Sequence, residues 1–139
     1  MMGTVLIISR DPAVSHAVCT FLSQTWIAAS CQPGREAESF VAQACVDVII
    51  VDVKTPEAEE LRFIRTLKKR FPQIPVIFLS LYATQLSHSG DRELFRDAIF
   101  FSKPFDNEAV AAAVALLGTA RRRPEGLNGR PVSGPDQGR

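Results

Sequence analysis

The sequence lacks long apolar runs and closely spaced cysteines, and each absence excludes a class of protein. No apolar run approaches the ~20 residues that a membrane-spanning helix needs. The first ten residues place no positive charge before a strand-length apolar stretch, so they do not resemble a secretion signal. Cys19, Cys31 and Cys45 lack metal-binding spacing, and their apolar neighbours predict reduced, buried packing residues. We therefore expect a cytoplasmic protein without membrane contact.

The sequence also has little net charge, but the charge is unevenly distributed. The 139 residues carry a formal net charge of +1 and are 46% hydrophobic, which suits one globular domain. Residues 121–139 contain five arginines against Glu125 and Asp136, and the rest of this segment is mostly proline, glycine and polar residues. We predict a domain over residues 1–120 and a disordered tail over 121–139. The slightly acidic domain shows no nucleic-acid footprint, and nucleic-acid binding by the basic tail is the less favoured interpretation.

Short apolar runs alternate with amphipathic helical patterns along the predicted domain. The runs predicted as strands are Thr4–Ser9, Trp26–Ser30, Val46–Asp52, Val76–Ser80 and Ala98–Ser102. Helices are predicted from Pro12 to about Gln24 after the cap Asp11, through Ala37–Ala44, after Pro56, and from the cap Asp106 to near Ala120. Residues 82–97 form the least regular segment. The alternation predicts an α/β fold, a doubly wound parallel sheet with helices on both faces.

Three polar residues stand at the carboxyl ends of predicted strands: Asp52, Ser80 and Lys103. Parallel strands bring their carboxyl ends to one edge of the sheet, where ligands bind in doubly wound folds. A carboxylate, a hydroxyl and an ammonium group at that edge indicate a site for a phosphoryl group. Taken singly, Asp52 could merely cap a turn, and the pair Lys103-Pro104 could merely end a strand.

Three motifs together resemble the receiver domain of bacterial two-component response regulators. They are Asp52 followed by Thr55-Pro56, the run Pro75–Ser80, and the run Phe100–Phe105 with Lys103. The resemblance covers residues 3–120 and implies a flavodoxin-like, CheY-like sheet of order 2-1-3-4-5. It implies that Asp52 accepts a phosphoryl group from the phosphohistidine of a sensor histidine kinase. We expect a stand-alone receiver in phosphorelay signalling, and not an enzyme.

The resemblance also implies roles for residues around Asp52. Lys103 would neutralise one phosphoryl oxygen, while the Ser80 hydroxyl and backbone N–H groups near Lys54 and Leu81 would hold the others. Phosphorylation would draw Ser80 inward and let the ring of Phe100 move with it. Ordinary core packing is an alternative interpretation of Phe100.

The main departure from the family lies after the first strand. The family has two adjacent acidic residues there, which bind Mg²⁺ together with the phosphorylated aspartate, but this chain has Ser9 and Arg10. Asp11 is the next acidic residue, and it is better explained as a helix cap. Asp52 and Asp11 therefore predict a weak Mg²⁺ site at most. Arg10 could instead reach Asp52 directly and replace the metal electrostatically.

The irregular segment 82–97 also departs from the family, in the region that carries its output surface. We therefore predict an atypical receiver with weak or no Mg²⁺-dependent phosphorylation, acting through protein–protein interaction and able to form a homodimer. The alternative is a small doubly wound nucleotide-binding or hydrolytic domain using the same strand edge. Against it, Ser9–Pro12 offers no glycine-rich turn for a pyrophosphate.

Overall fold

A computed structural model describes residues 3–54, 58–81 and 98–122 of the chain. Its strands are β1 (Thr4–Ile8), β2 (Ile27–Cys31), β3 (Val48–Val53), β4 (Val76–Ser80) and β5 (Ile99–Ser102). Its helices within these ranges are α1 (Pro12–Leu22), α2 (Arg35–Gln43), α3 (Ala58–Arg70) and the C-terminal α4 (Asn107–Arg122). All strand pairs are parallel, in the order β2-β1-β3-β4-β5. The predicted fold class and strand order are confirmed.

The central strands are apolar along almost their whole length because helices cover both faces of the sheet. Side chains of one parity, including Leu6, Ile49 and Phe78, pack in a core cluster with residues of α2 and α3. Those of the other parity, including Ile7 and Ile50, pack with residues of α1 and α4. The sheet is therefore packed on both faces, and its carboxyl edge positions the side chains that follow each strand.

Two helix starts follow from their capping residues, as expected. The Asp11 carboxylate accepts a hydrogen bond from the Ala13 N–H at 3.0 Å, with Pro12 at the first helical position. The Asp106 carboxylate accepts one from the Glu108 N–H at 3.1 Å. Both aspartates satisfy N–H groups that have no partner inside the helix.

Some element boundaries differ from the prediction. The ladder of β3 begins at Val48. The preceding residue, Asp47, donates its N–H to the Thr4 carbonyl at 2.8 Å and accepts the Thr4 N–H on its carboxylate at 2.9 Å, and β3 runs one residue past Asp52. Helix α1 ends at Leu22, two residues before Gln24, and α4 continues to Arg122, past the expected boundary at residue 120.

The prediction that all three cysteines are buried is wrong. Cys45 is exposed, because it follows the last turn of α2 instead of lying on its apolar face, and Cys19 and Cys31 are half-buried. All three are free thiols.

No helix within the described ranges is long and apolar enough to cross a membrane. The expectations for Thr55-Pro56, for the irregular segment 82–97 and for the tail from residue 123 lie outside the described residues.

Candidate functional site

Asp52 lies near the carboxyl end of β3 and is the central charged group of the sheet edge. Its carboxylate is almost fully buried. The Oδ1 atom forms an ion pair with Lys103 Nζ. The Oδ2 atom accepts a hydrogen bond from the Ser9 hydroxyl at 2.7 Å. A buried carboxylate is costly unless charge and hydrogen bonds compensate it, and this one receives both.

The neighbouring strands bring Ser80 and Lys103 to the same edge. Ser80 ends β4, is fully buried, and is the register partner of Val53, the residue after Asp52. The Lys103 N–H donates to the Ser80 carbonyl at 3.0 Å, which extends the β4–β5 pairing by one bond and fixes where the lysine side chain starts. The predicted convergence of Asp52, Ser80 and Lys103 at one edge is therefore observed.

Ser9 contributes an interaction that the sequence did not indicate. Its hydroxyl oxygen accepts the Asp11 N–H at 2.9 Å while it donates to Asp52, so it ties the start of α1 to β3. As a whole residue, Ser9 is buried to the same degree as Asp52. From the sequence alone, Ser9 is notable only because the receiver family has an acidic residue at this position. A serine followed two residues later by a cap residue was the available signal, because such hydroxyls often bond to nearby backbone.

The structure does not contain the direct contact between Arg10 and Asp52 that the sequence analysis considered. Arg10 is exposed and makes no ion pair with any residue that the structure describes, while Ser9 and Lys103 occupy both oxygens of Asp52. The residue after β1 that faces Asp52 is Ser9, and Arg10 lines a cavity beside α1 and β2.

The donor groups at the edge do not fit the Mg²⁺ site of the receiver family. Mg²⁺ takes oxygen ligands in octahedral geometry and is usually held by one or two carboxylates. Here Ser9 brings a neutral hydroxyl, the Asp11 carboxylate caps α1, and Asp52 is in contact with an ammonium group. Within the described ranges, no three histidine, cysteine or acidic side chains form a metal-binding group.

The remaining predicted site residues surround this centre. Lys54 follows β3 with an exposed side chain, and its N–H donates to the Glu60 carboxylate at 3.3 Å instead of facing an open site. Leu81 follows Ser80 and is 66% exposed. Phe100 stacks on Phe78, with ring centroids 5.2 Å apart, and packs against the core on the α2–α3 face. The ring of Phe100 is therefore partly buried at the margin of this core.

The fold and the edge geometry together define a class of protein. A five-stranded sheet of this order, with an aspartate, a serine and a lysine at the carboxyl ends of β3, β4 and β5, is the arrangement of a phosphorelay receiver. The family model of the response regulator receiver domain matches residues 5–115 of the sequence. The chain belongs to this family, whose domains serve phosphorelay signalling and are generally not enzymes.

Solved structures give the same fold at low sequence identity. A response regulator receiver protein from Sinorhizobium medicae is 20% identical with a TM-score of 0.69, covering 87% of this chain and 98% of its own. The chemotaxis response regulator CheY4 of Vibrio cholerae is 20% identical with a TM-score of 0.70, covering 84% and 99%. A structure described as adenylate cyclase from Rhodopirellula baltica is 20% identical with a TM-score of 0.71, covering 87% and 90%. At this identity each likeness shows the fold alone. No curated protein sequence matches the chain.

Proposed function

We propose that this chain is an atypical receiver, in which Asp52 is the phosphoacceptor position but Mg²⁺-dependent phosphorylation is weak or absent. It works in the cytoplasm through contact with other signalling proteins. The observation that carries the proposal is the buried Ser9–Asp52 hydrogen bond of 2.7 Å, formed where the family has a metal-binding carboxylate. A hydroxyl in this position stabilises the free carboxylate and adds no charge that would attract a divalent ion.

The chemistry available at Asp52 is an in-line transfer. A carboxylate oxygen would attack the phosphorus of the donor, the bond from phosphorus to the donor oxygen or nitrogen would break, and Asp52 would become an acyl phosphate. Lys103, already in contact with Asp52, is placed to neutralise one phosphoryl oxygen, and Ser80 stands at the end of the next strand. The chain therefore retains the residues that would bind the phosphoryl group on Asp52.

The acidic pair with which the family binds Mg²⁺ is replaced in this chain. Ser9 and Arg10 carry a combined charge of +1 where two acidic residues would carry −2. A divalent ion at this edge would meet the Lys103 ammonium and a neutral hydroxyl, with Asp52 as its single carboxylate. The charge that develops on the transferring phosphoryl group would therefore lack its usual neutralisation.

Partners follow from family membership. Receiver domains interact with sensor histidine kinases and other signalling proteins. We propose that this chain does the same, and that its binding depends little on phosphorylation. A homodimer is a further arrangement that this function would allow.

Intact-mass measurement after incubation with acetyl phosphate and Mg²⁺ tests the proposal. We expect the wild-type chain to gain little or no phosphoryl mass, because its edge does not hold the metal. We expect Ser9→Asp to bind Mg²⁺ measurably in a calorimetric titration, because the new carboxylate would face Asp52. Arg10→Asp should improve Mg²⁺ binding less, since Arg10 is exposed, lines the neighbouring cavity and makes no contact with Asp52.

The matched controls separate the parts of this proposal. Asp52→Asn should abolish any phosphoryl gain, which identifies the acceptor. Rapid and stoichiometric phosphorylation of the wild-type chain would show that it has kept phosphate control, and would refute the proposal. Equal Mg²⁺ binding by the Ser9 and Arg10 variants would show that Ser9 is not the residue that replaces the metal ligand.

A further inference from the structure

A cavity of about 460 Å³ lies beside the Asp52 site, between α1, the end of β2 and the start of α2. It opens at the carboxyl ends of β1 and β2, the side of the sheet on which doubly wound proteins bind ligands. The Ser9 N–H donates to the Cys31 carbonyl at 3.0 Å and continues the β1–β2 ladder beside the cavity. Its volume is within the range of about 300–1,000 Å³ for small-molecule sites.

The cavity is open to solvent and is lined by uncharged and polar side chains. Cys19 and Cys31 line it, and Ser15, Ser30 and Gln32 offer hydroxyl and amide groups. Burial raises the pKa of the Cys31 thiol to about 11, with the nearby Glu36 carboxylate adding to the effect, and burial also raises the pKa of Cys19. Both thiols are therefore neutral at physiological pH and behave as small apolar surfaces.

Two opposite charges line the same cavity without forming a pair. Arg10 comes from the β1–α1 connection and Glu36 from the first turn of α2. Neither side chain forms an ion pair or hydrogen bond with a residue in the described part of the chain, although both border the same cavity. Opposite charges that border a cavity and stay apart can each bind a separate group of one ligand.

We propose that this cavity binds a small zwitterion of the α-amino acid class. The ligand's carboxylate pairs with the Arg10 guanidinium, which presents several N–H donors in a planar fork. Its ammonium group pairs with the Glu36 carboxylate. Its side chain lies over the uncharged thiols of Cys19 and Cys31.

A single residue, Ser9, connects the cavity to Asp52. Ser9 borders the cavity and donates its hydroxyl to Asp52, so an occupied cavity is in contact with the residue that holds the proposed phosphoacceptor. The proposal does not depend on phosphorylation of Asp52, because Arg10 and Glu36 make the binding contacts.

Backbone ¹H–¹⁵N spectra of the full chain, titrated with each of the common L-amino acids, test this inference. We expect at least one to give saturable shifts at Ser9, Arg10 and residues 30–36. The same titration is run with the deaminated and decarboxylated analogues of the tightest binder, such as isocaproate and isoamylamine for leucine. Each analogue lacks one charge and should bind at least tenfold more weakly, the loss that corresponds to ~1.4 kcal/mol.

Variants assign the contacts. Arg10→Gln and Glu36→Gln should each weaken binding by a similar factor, whereas Arg62→Gln and Glu59→Gln, the same changes on exposed positions of α3, should not. Absence of saturable shifts with every amino acid would overturn the proposal. Equal binding of the deaminated analogue, or unchanged binding by the Glu36 variant, would also overturn it by showing a simple anion site.

Discussion

At the scale of single residues, the state of Asp52 depends on two neighbours of different kinds. Lys103 compensates its charge, and the Ser9 hydroxyl donates a hydrogen bond to its second oxygen. The side chain of Asp52 is 2% exposed and that of Lys103 is 20% exposed, so the lysine can reach water while the carboxylate cannot. Removal of the Lys103 charge should therefore destabilise the fold more than removal of the Asp52 charge.

We predict that Lys103→Met lowers the free energy of unfolding by roughly 3 kcal/mol, because it leaves a buried carboxylate without compensating charge. Asp52→Asn should cost less, and the double variant should recover most of the loss from Lys103→Met. Urea denaturation of the four proteins forms a double-mutant cycle that measures this coupling. Additive losses in the double variant would show that the pair contributes no net coupling energy.

At the scale of elements, the packing of α4 against the sheet depends on a close contact between a glycine and a tryptophan. Gly118 is buried on α4, and a Cβ atom built there would clash with Cη2 of the Trp26 ring and lie 3.0 Å from Cζ3. Trp26 immediately precedes β2 and also approaches Gly3. The absence of a side chain at residue 118 therefore lets the last helix pack against the amino end of the sheet.

We predict that Gly118→Ala destabilises the domain, although alanine favours the helix by about 1 kcal/mol. Overpacking against the rigid indole should cost about 1–3 kcal/mol and outweigh that gain. Thermal unfolding followed by circular dichroism measures the difference, with the exposed Thr119→Ala on the same helix as control. Adding Trp26→Phe to the alanine variant should restore part of the stability, and a stabilised single variant would contradict the clash.

At the scale of the whole molecule, the sheet and its helical layers account for the buried core. The described residues place 23 apolar side chains in that core, and all of them lie between Val5 and Val114. The segment from residue 123 onward is rich in arginine, proline and glycine and offers little apolar surface to bury. Stability should therefore depend on the part of the chain up to the end of α4.

We predict that truncation after Arg122 lowers the melting temperature by less than about 4 °C, the change that corresponds to roughly 1 kcal/mol in a domain of this size. A calorimetric comparison of the full and shortened chains measures it. A larger drop would mean that the removed residues pack against the domain. Truncation after Gly118 is the matched comparison, and it should cost more because it removes the last turn of α4.

The order of elements, the two capping aspartates and the polar residues ending β3 to β5 could be predicted from the sequence. Each is a local pattern, and the carboxyl ends of parallel strands must meet at one edge. The sequence likewise marked the missing acidic pair after β1. Burial of Cys45 was predicted wrongly, because apolar neighbours in sequence do not determine which way a residue after a helix points.

Tertiary structure decided which residue of the pair Ser9-Arg10 faces Asp52. That choice depends on the backbone path between β1 and α1, which is set jointly by the Asp11 cap, the Ser9 hydrogen bonds and the Cys31 carbonyl on a different strand. The cavity with Arg10 and Glu36 has the same origin, since these two residues are 26 positions apart in the chain and meet only through the packing of α1, β2 and α2. Local sequence determined where the polar groups stand along each strand, and long-range packing determined which of them touch.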